Sequence, residues 1–232
     1  DYAVKNLQAP SSKESLKIAL YRMVFEEFLM LQLGLFLFKN WVTEKSGIFF
    51  EKNQNLKQVL NSLPFNLTNA QNRALNEILN DMNSNKVMNR LVQGDVGSGK
   101  TVVALLSLAN CVLNGYQGAL MAPTEILAEQ HYLSLNETLS QFGIKIGLLV
   151  GSLTKKQKEV TLEKVKNNEI DILIGTHALI EDKVEFNNLG IVITDEQHRF
   201  GVRQRNKLSE KGYNPDILVM TATPIPRTLA LI

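Results

Sequence analysis

Residues 94 to 101 read Gly-Asp-Val-Gly-Ser-Gly-Lys-Thr, and this stretch decides the fold class. It fits the pattern G-x-x-x-x-G-K-[ST] at every fixed position. Residues 90–93 before it are predicted to form a strand, and residues 101–113 after it a helix. A glycine-rich turn between a strand and a helix is the arrangement in which backbone N–H groups surround a phosphate. The stretch therefore predicts a nucleotide-binding P-loop in an α/β domain.

The residues of the loop have separate expected roles. The backbone is expected to wrap the β-phosphate of a nucleotide, and the binding set is Gly94, Asp95, Val96, Gly97, Ser98, Gly99, Lys100 and Thr101. The Lys100 ammonium is expected to reach the β- and γ-phosphates, and the Thr101 hydroxyl to bind Mg²⁺. The alternative is a flexible turn with an incidental lysine, which the strand and helix on either side disfavour.

The rest of the chain from residue 63 alternates predicted strands and helices. Strands are expected at residues 118–122, 144–150, 171–175, 191–194 and 217–221, and helices at 124–141 and 154–168. The runs DILIG, IVIT and ILVM do not alternate between apolar and polar residues, as is typical of strands buried on both faces of a parallel sheet. We expect an α/β fold with a mainly parallel central sheet and helices on both faces.

Residues 1–62 are predicted to be a helical segment and linker that precede this domain, which occupies residues 63–232. Ser11 and Glu14 have the spacing of a capping box, and apolar residues then recur in steps of three and four as far as Phe38. We expect this long helix to pack against a larger body, because its apolar face is wide. The alternative is an amphipathic membrane anchor, which is disfavoured because the polar face carries acids as well as bases and so disfavours anionic lipid. Residues 43–62 are polar and are predicted to be a connector.

The composition excludes several classes of protein. Of the 232 residues, 44% are hydrophobic and 21% are charged, which is typical of a globular chain. The net charge of +2 argues neither for nor against nucleic acid, so any basic surface must be a local patch. The apolar run at residues 28–38 is shorter than the ~20 residues needed to span a bilayer. Cys111 is the only cysteine, so a reducing compartment is expected, a zinc site is not, and the side chain is expected in the core.

The second candidate motif is Asp195-Glu196-Gln197-His198, directly after the buried run IVIT. A carboxylate at the end of a strand near a P-loop is placed to make a second Mg²⁺ contact, and we assign this to Asp195, through water. Glu196 is then placed to orient or deprotonate the water that attacks the γ-phosphate. The alternative is a helix N-terminus enriched in acids, which the presence of the P-loop disfavours. The predicted catalytic set is Lys100, Asp195, Glu196, Gln197 and His198.

Five segments resemble successive motifs of superfamily 2 helicases: GDVGSGKTVVALLSLA (94–109), MAPTEILAEQHY (121–132), GTHALI (175–180), DEQHRFGVRQR (195–205) and MTATPIPRTLAL (220–231). Within that superfamily they most closely resemble the bacterial RecG family, as do LPFNLTNAQ (63–71) and YRMVFEEFLMLQL (21–33). Transcription-repair coupling factors share RFGVRQ and TATPIPRTL, but typically have a DEEH box and PTTLLAQQH, so the RecG family is preferred.

This resemblance implies a RecA-like motor domain that uses ATP and Mg²⁺ in the bacterial cytoplasm, associated with the nucleoid and not with a membrane. It implies branch migration and remodelling of stalled forks and Holliday junctions in DNA repair and recombination, with branched DNA as the partner. The sequence shows neither the family's second motor lobe, with its arginine finger, nor its junction-binding domain. We therefore expect a piece of a longer protein that holds half of the nucleotide site and is inactive alone.

The resemblance also assigns residues outside the nucleotide motifs. It implies a DNA track and coupling residues that comprise Pro123, Thr124, Glu125, Gly175, Thr176, His177, Thr221 and Thr223. Thr124 also suits a helix N-cap. Gln71 matches a position near the adenine, although Thr68 and Gln71 equally form a capping box. A basic cluster can face DNA, a second lobe or only solvent, and it comprises Arg199, Arg203, Arg205 and Lys207.

Two other functions stay open at this point. One is a transcription-repair translocase that acts on stalled RNA polymerase. The other is a P-loop protein with no role on nucleic acid, such as a metabolic kinase or a transporter ATPase. The three histidines, His131, His177 and His198, lack the spacing of metal ligands.

Overall fold

The structure is a computed structural model that describes residues 2–43, 46–51, 53–195 and 207–222, with side chains in the long N-terminal helix as far as residue 37. The chain divides into two compact units. The helical unit contains the described residues 2–43, and the sheet unit contains the described residues from 46 to 222. No helix in these described ranges is both long and apolar enough to cross a membrane.

The helical unit consists, in its described part, of α1 (Tyr2–Gln8) and α2 (Lys13–Thr43). The predicted capping box of Ser11 and Glu14 is wrong by one residue. The Ser12 N–H donates to Ser15 Oγ at 2.9 Å, and the Ser15 N–H donates to Ser12 Oγ at 3.1 Å. Ser11 instead donates its hydroxyl to Asn6 Oδ1 at 3.0 Å, which connects α1 to the start of α2. The long helix itself is confirmed, and its packing against a larger body stays a prediction.

The sheet unit contains an α/β succession of elements. In chain order these are α3 (Asn55–Asn61), α4 (Asn69–Met82), β1 (Asn89–Gln93), α5 (Lys100–Leu113), β2 (Gln117–Met121), α6 (Glu125–Leu139), β3 (Ile146–Leu149), α7 (Lys155–Lys166), β4 (Ile172–Gly175), β5 (Leu189–Asp195) and β6 (Asp216–Thr221). Within the described residues the strands form one six-stranded sheet in the order β1-β6-β5-β2-β4-β3, and each neighbouring pair is parallel. The predicted strands and helices are confirmed, with ends that differ by a few residues.

The four inner strands β6, β5, β2 and β4 are buried on both faces, as the continuous apolar runs of β4, β5 and β6 predicted, whereas the edge strands β1 and β3 are partly exposed. Leu120 and Ile193 belong to a hydrophobic cluster that includes residues of α4, α5 and α6. Their chain neighbours Ala119 and Val192 point the other way and belong to a second cluster with residues of α7. Successive side chains of a strand point to opposite faces, so the two clusters are the two sides of one sheet.

The described residues of the stretch 46–61, which its polar composition predicted to be part of a connector, pack into the sheet unit. Phe50 is 1% exposed, and Val59 on α3 is fully buried in the cluster that contains α5. The Phe50 ring meets Tyr116 edge to face, with ring centroids 5.3 Å apart. The connector interpretation overlooked these two apolar residues because the amides and charges around them dominate the composition.

Because the strands are parallel, their carboxyl ends lie at one edge of the sheet. Gln93 of β1 is in register with Thr221 of β6, and Asp195 of β5 with Met220 of β6. On the other side of β5, Met121 of β2 pairs with Thr194 and, across its opposite edge, with Gly175 of β4. The segments that follow these strands therefore begin side by side.

Candidate nucleotide-binding site

The P-loop lies between β1 and α5, where the sequence predicted it. Gly97 and Gly99 have φ angles of +81° and +80°, in the left-handed region that side chains with a Cβ rarely adopt. Gly99 is also the N-cap of α5, so the loop ends directly in the helix N-terminus. A Cβ added at Gly99 would lie 2.2 Å from Gln71 Nε2, far inside van der Waals contact. The backbone angle therefore favours glycine at position 99, and a side chain there would also have to displace the Gln71 amide.

The loop is held by hydrogen bonds at both ends. The Gly94 N–H donates to the Thr221 carbonyl of β6 at 3.2 Å, which extends the pairing of β1 and β6 into the loop. Lys100 Nζ donates to the carbonyl oxygens of Gly94 at 2.6 Å and Asp95 at 2.9 Å. The ammonium is thereby held over the loop. A lysine carries three N–H donors, so these two contacts leave one for a phosphate oxygen.

Gln71 uses both ends of its amide in the structure. Its Oε1 accepts from the Thr68 N–H at 2.8 Å, and the Gln71 N–H donates to Thr68 Oγ1 at 3.3 Å, which confirms the capping box at the start of α4. Its Nε2 donates to the Ser98 carbonyl of the P-loop at 2.9 Å. The sequence did not reveal this second contact, which joins residues 27 positions apart. An adenine contact by Gln71 stays a prediction.

Asp195 ends β5 and contacts a residue that the sequence did not connect with it. His131 of α6 has its Nε2 atom 2.9 Å from Asp195 Oδ2. The two side chains are 9% and 14% exposed. A carboxylate that is ionised to bind Mg²⁺ can only accept this hydrogen bond, which requires that the His131 tautomer carry its proton on Nε2. The spacing of the histidines excluded a metal-ligand cluster but carried no signal for this pair.

Thr101 and Asp195 are the two predicted residues that could hold a Mg²⁺ ion. Both present oxygen atoms, which Mg²⁺ prefers, and this ion is commonly bound by one or two protein groups together with substrate phosphates and water. Thr101 lies in the first turn of α5, and Asp195 lies at the same sheet edge with only β6 between β5 and β1. A donor set of a hydroxyl and a carboxylate beside a P-loop suits a nucleotide-bound Mg²⁺.

The predicted DNA-track residues also follow strand ends at this edge. Thr124 is the N-cap of α6, where its Oγ1 accepts from the Leu127 N–H at 3.3 Å. Glu125 accepts from the Ser152 N–H at 3.3 Å, and hydrogen bonding from Ser152 lowers the pKa of its carboxyl. Thr176, after β4, is 4% exposed. Pro123 is half-buried and His177 is exposed.

Several predicted residues lie outside the described part of the chain. These are Glu196, Gln197, His198, Arg199, Arg203, Arg205 and Thr223. Lys207, the described member of the basic cluster, pairs with Asp182 at 2.7 Å. Cys111 is fully buried in the core, as predicted, and burial raises the pKa of its thiol.

The comparisons with known proteins agree with the geometry. The family model for DEAD/DEAH box helicases matches residues 68–232. The chain is 53% identical over 231 residues to the ATP-dependent DNA helicase RecG of Bacillus subtilis, covering 99% of this chain and 34% of that protein. It is 53% identical over 213 residues to RecG of Aquifex aeolicus, covering 90% of this chain and 27% of that protein.

A solved structure of RecG bound to a three-way DNA junction superposes with a TM-score of 0.83 at 47% identity, covering 99% of this chain and 31% of that one. The resemblance to RecG and the α/β RecA-like fold with a parallel sheet are thereby confirmed. The chain spans about a third of the length of the curated relatives it matches.

Proposed function

Because the chain belongs to the DEAD/DEAH box helicase family, we propose that it is part of an ATP-dependent DNA helicase and that residues 63–232 are its first motor lobe. The observation that carries this proposal is the shared sheet edge. The P-loop follows β1, the Asp195 carboxylate ends β5, and the segments that begin at Pro123 and Thr176 follow β2 and β4. A nucleotide and a nucleic-acid strand bound along this edge would contact neighbouring loops of one rigid sheet.

In the proposed reaction the P-loop N–H groups and the α5 N-terminus bind the β-phosphate. The Lys100 ammonium offsets negative charge on the β- and γ-phosphates, and Thr101 and Asp195 hold Mg²⁺, which supplies further positive charge there. Glu196 orients the attacking water and accepts its proton. We propose that an arginine of a second motor lobe completes the site, as in two-lobed helicases.

The proposed substrate is branched DNA. The relative named RecG was solved on a three-way junction, and this chain is similar to it over 99% of its length. We propose that the segments around Thr124 and Thr176 contact the phosphate backbone, which positions a protein on DNA without reading its sequence. Thr221 and Thr223 are proposed to couple hydrolysis to DNA movement, because the Thr221 carbonyl already holds the P-loop backbone. The proposed activity is the remodelling of stalled forks and Holliday junctions in DNA repair and recombination.

The test is phosphate release by the intact protein without DNA, with linear duplex and with a forked duplex. We expect turnover to require Mg²⁺ and to rise most on the fork. The Lys100→Ala variant, measured beside it, should release little phosphate with any DNA. Turnover that no DNA stimulates would refute the helicase proposal and favour a P-loop enzyme without a role on nucleic acid.

A further inference from the structure

We propose that His131 is a positioning residue that fixes the Asp195 carboxylate for Mg²⁺, an inference that rests on the proposed nucleotide site. The contact joins His131 Nε2 and Asp195 Oδ2 at 2.9 Å. Of the two carboxylate oxygens, Oδ2 is engaged by the imidazole. The histidine therefore restricts how Asp195 can turn toward Mg²⁺ and its water ligands.

The sheet order explains why this pair meets. β2 and β5 are neighbours, with Met121 in register with Thr194, the residue before Asp195. α6 begins shortly after β2 ends, so its second turn passes close to the carboxyl end of β5. His131 is placed on the inward face of that helix, where Ala128 and Leu135, one turn before and one turn after it, are fully buried.

The burial of the pair strengthens the contact. Both side chains are largely withdrawn from water. A hydrogen bond to a charged group is shorter and stronger than one between neutral groups, and the protein interior strengthens it further. The imidazole is rigid, and α6 is anchored in the core on both sides of it. Residues that orient a metal-binding side chain in this way commonly change metal affinity about 10- to 100-fold when they are replaced. Asp195 is expected to contact Mg²⁺ through water, so the lower end of this range applies.

The same helix carries the proposed DNA-track residues at its start. Thr124 caps α6, and Glu125 in its first turn contacts Ser152. His131 lies fewer than two turns further along. The residue that orients the Mg²⁺ carboxylate is thus on the element that begins at the track, rather than on the P-loop or on β5.

The experiment measures binding of a fluorescent ATP analogue to the intact protein as a function of Mg²⁺ concentration, and its affinity in EDTA. His131→Leu removes the N–H donor to Asp195. His131→Asn keeps an N–H, but its shorter side chain ends one bond short of the position of Nε2. His131→Gln keeps an N–H close to the position of Nε2. Leu135→Val is the matched control, because it perturbs the same buried face of α6 without touching Asp195.

We expect His131→Leu and His131→Asn to raise the Mg²⁺ concentration for half-maximal binding about ten-fold and to leave the affinity in EDTA unchanged. His131→Gln should restore most of the Mg²⁺ response. Leu135→Val should lower the thermal midpoint and leave the Mg²⁺ response as in the wild type. His131→Asn provides the same test should His131→Leu not fold.

An unchanged Mg²⁺ response in both His131→Leu and His131→Asn would overturn the inference. So would the same change in Leu135→Val, because the histidine would then be an ordinary core residue. These results differ from a failure of the proposed function. In that case the wild type would show no Mg²⁺-dependent binding, or Lys100→Ala would bind the analogue as tightly as the wild type.

Discussion

Replacing Asp216 by asparagine is expected to change how the stability of the sheet unit depends on pH. Asp216 begins β6 and is fully buried. Its Oδ1 accepts from the Met88 N–H at 2.7 Å, and its Oδ2 has no hydrogen-bond partner among the described residues. Burial raises the pKa of Asp216 from 3.8 to about 7, with the Met88 N–H opposing the rise and the charge of Asp81 adding to it.

The direction of the effect follows from which state holds the proton. Between the unfolded pKa of 3.8 and the folded pKa of about 7, the folded chain keeps the carboxyl protonated while the unfolded chain ionises it. The free energy that the raised pKa of Asp216 adds to folding is therefore fully present below pH 3.8. It falls as the pH rises toward 7 and is lost above that pH. A shift of about three pKa units corresponds to about 4 kcal/mol, at 1.36 kcal/mol per unit.

Asp216→Asn keeps an acceptor for Met88 and cannot ionise. Its buried amide N–H₂ is expected to cost about 1–3 kcal/mol at every pH, because Asp216 Oδ2, whose place it takes, has no hydrogen-bond partner among the described residues. We expect the wild type to lose stability relative to the variant as the pH rises from 5 to 8. Urea unfolding followed by circular dichroism at several pH values measures the difference. If the two stability curves stayed parallel from pH 5 to 8, Asp216 would not titrate in this range and the reasoning would be refuted.

Four further variants test the site and the core. Lys100→Ala should weaken nucleotide binding by about 1–3 kcal/mol with little change in the thermal midpoint, because it opens no cavity and the Gly94 and Asp95 carbonyls that it leaves can reach water; equal affinity in a fluorescent-nucleotide titration would place the site elsewhere. Glu196→Gln should bind ATP with Mg²⁺ but release phosphate about 10²–10⁴-fold more slowly, since an amide cannot accept the proton. Asp195→Asn should mainly raise the Mg²⁺ requirement; identical Mg²⁺ dependence and residual rate in these two variants would contradict their separate roles. Gln117→Met should lower the free energy of unfolding by about 3 kcal/mol or more, because the buried amide bonds four backbone groups at 2.8 to 3.1 Å; a loss below about 1 kcal/mol in urea would show that water satisfies those groups.

Much of the fold was predictable because its determinants are local. The P-loop pattern requires a strand before it and a helix after it, and continuous apolar runs mark strands covered on both faces. The start of α6 at Thr124 and of α7 at Thr154 follows from side chains that cap their own helices. In each case the information lies within a few residues of the feature.

The contacts that the sequence did not reveal join distant positions. His131 and Asp195 are 64 residues apart and meet only because β5 lies between β6 and β2, an order that no local pattern encodes. The bond from Gln71 to Ser98 likewise depends on how α4 is placed beside the loop. The error at Ser11 has a different origin. Two adjacent serines gave two plausible capping registers, and the contact of Ser11 with Asn6 of α1 decided between them.

The close approach of Gly99 and Gln71 couples the P-loop to the start of α4. Any side chain at position 99 would have to displace the Gln71 amide, whose Nε2 would lie 2.2 Å from the new Cβ. That amide also accepts one of the two cap hydrogen bonds of α4, so a side chain at position 99 would loosen the start of a helix that begins 30 positions earlier in the chain. In protein engineering, the residues at positions 71 and 99 should be chosen together. A loop redesigned to carry a side chain at position 99 is therefore best combined with a smaller residue at position 71.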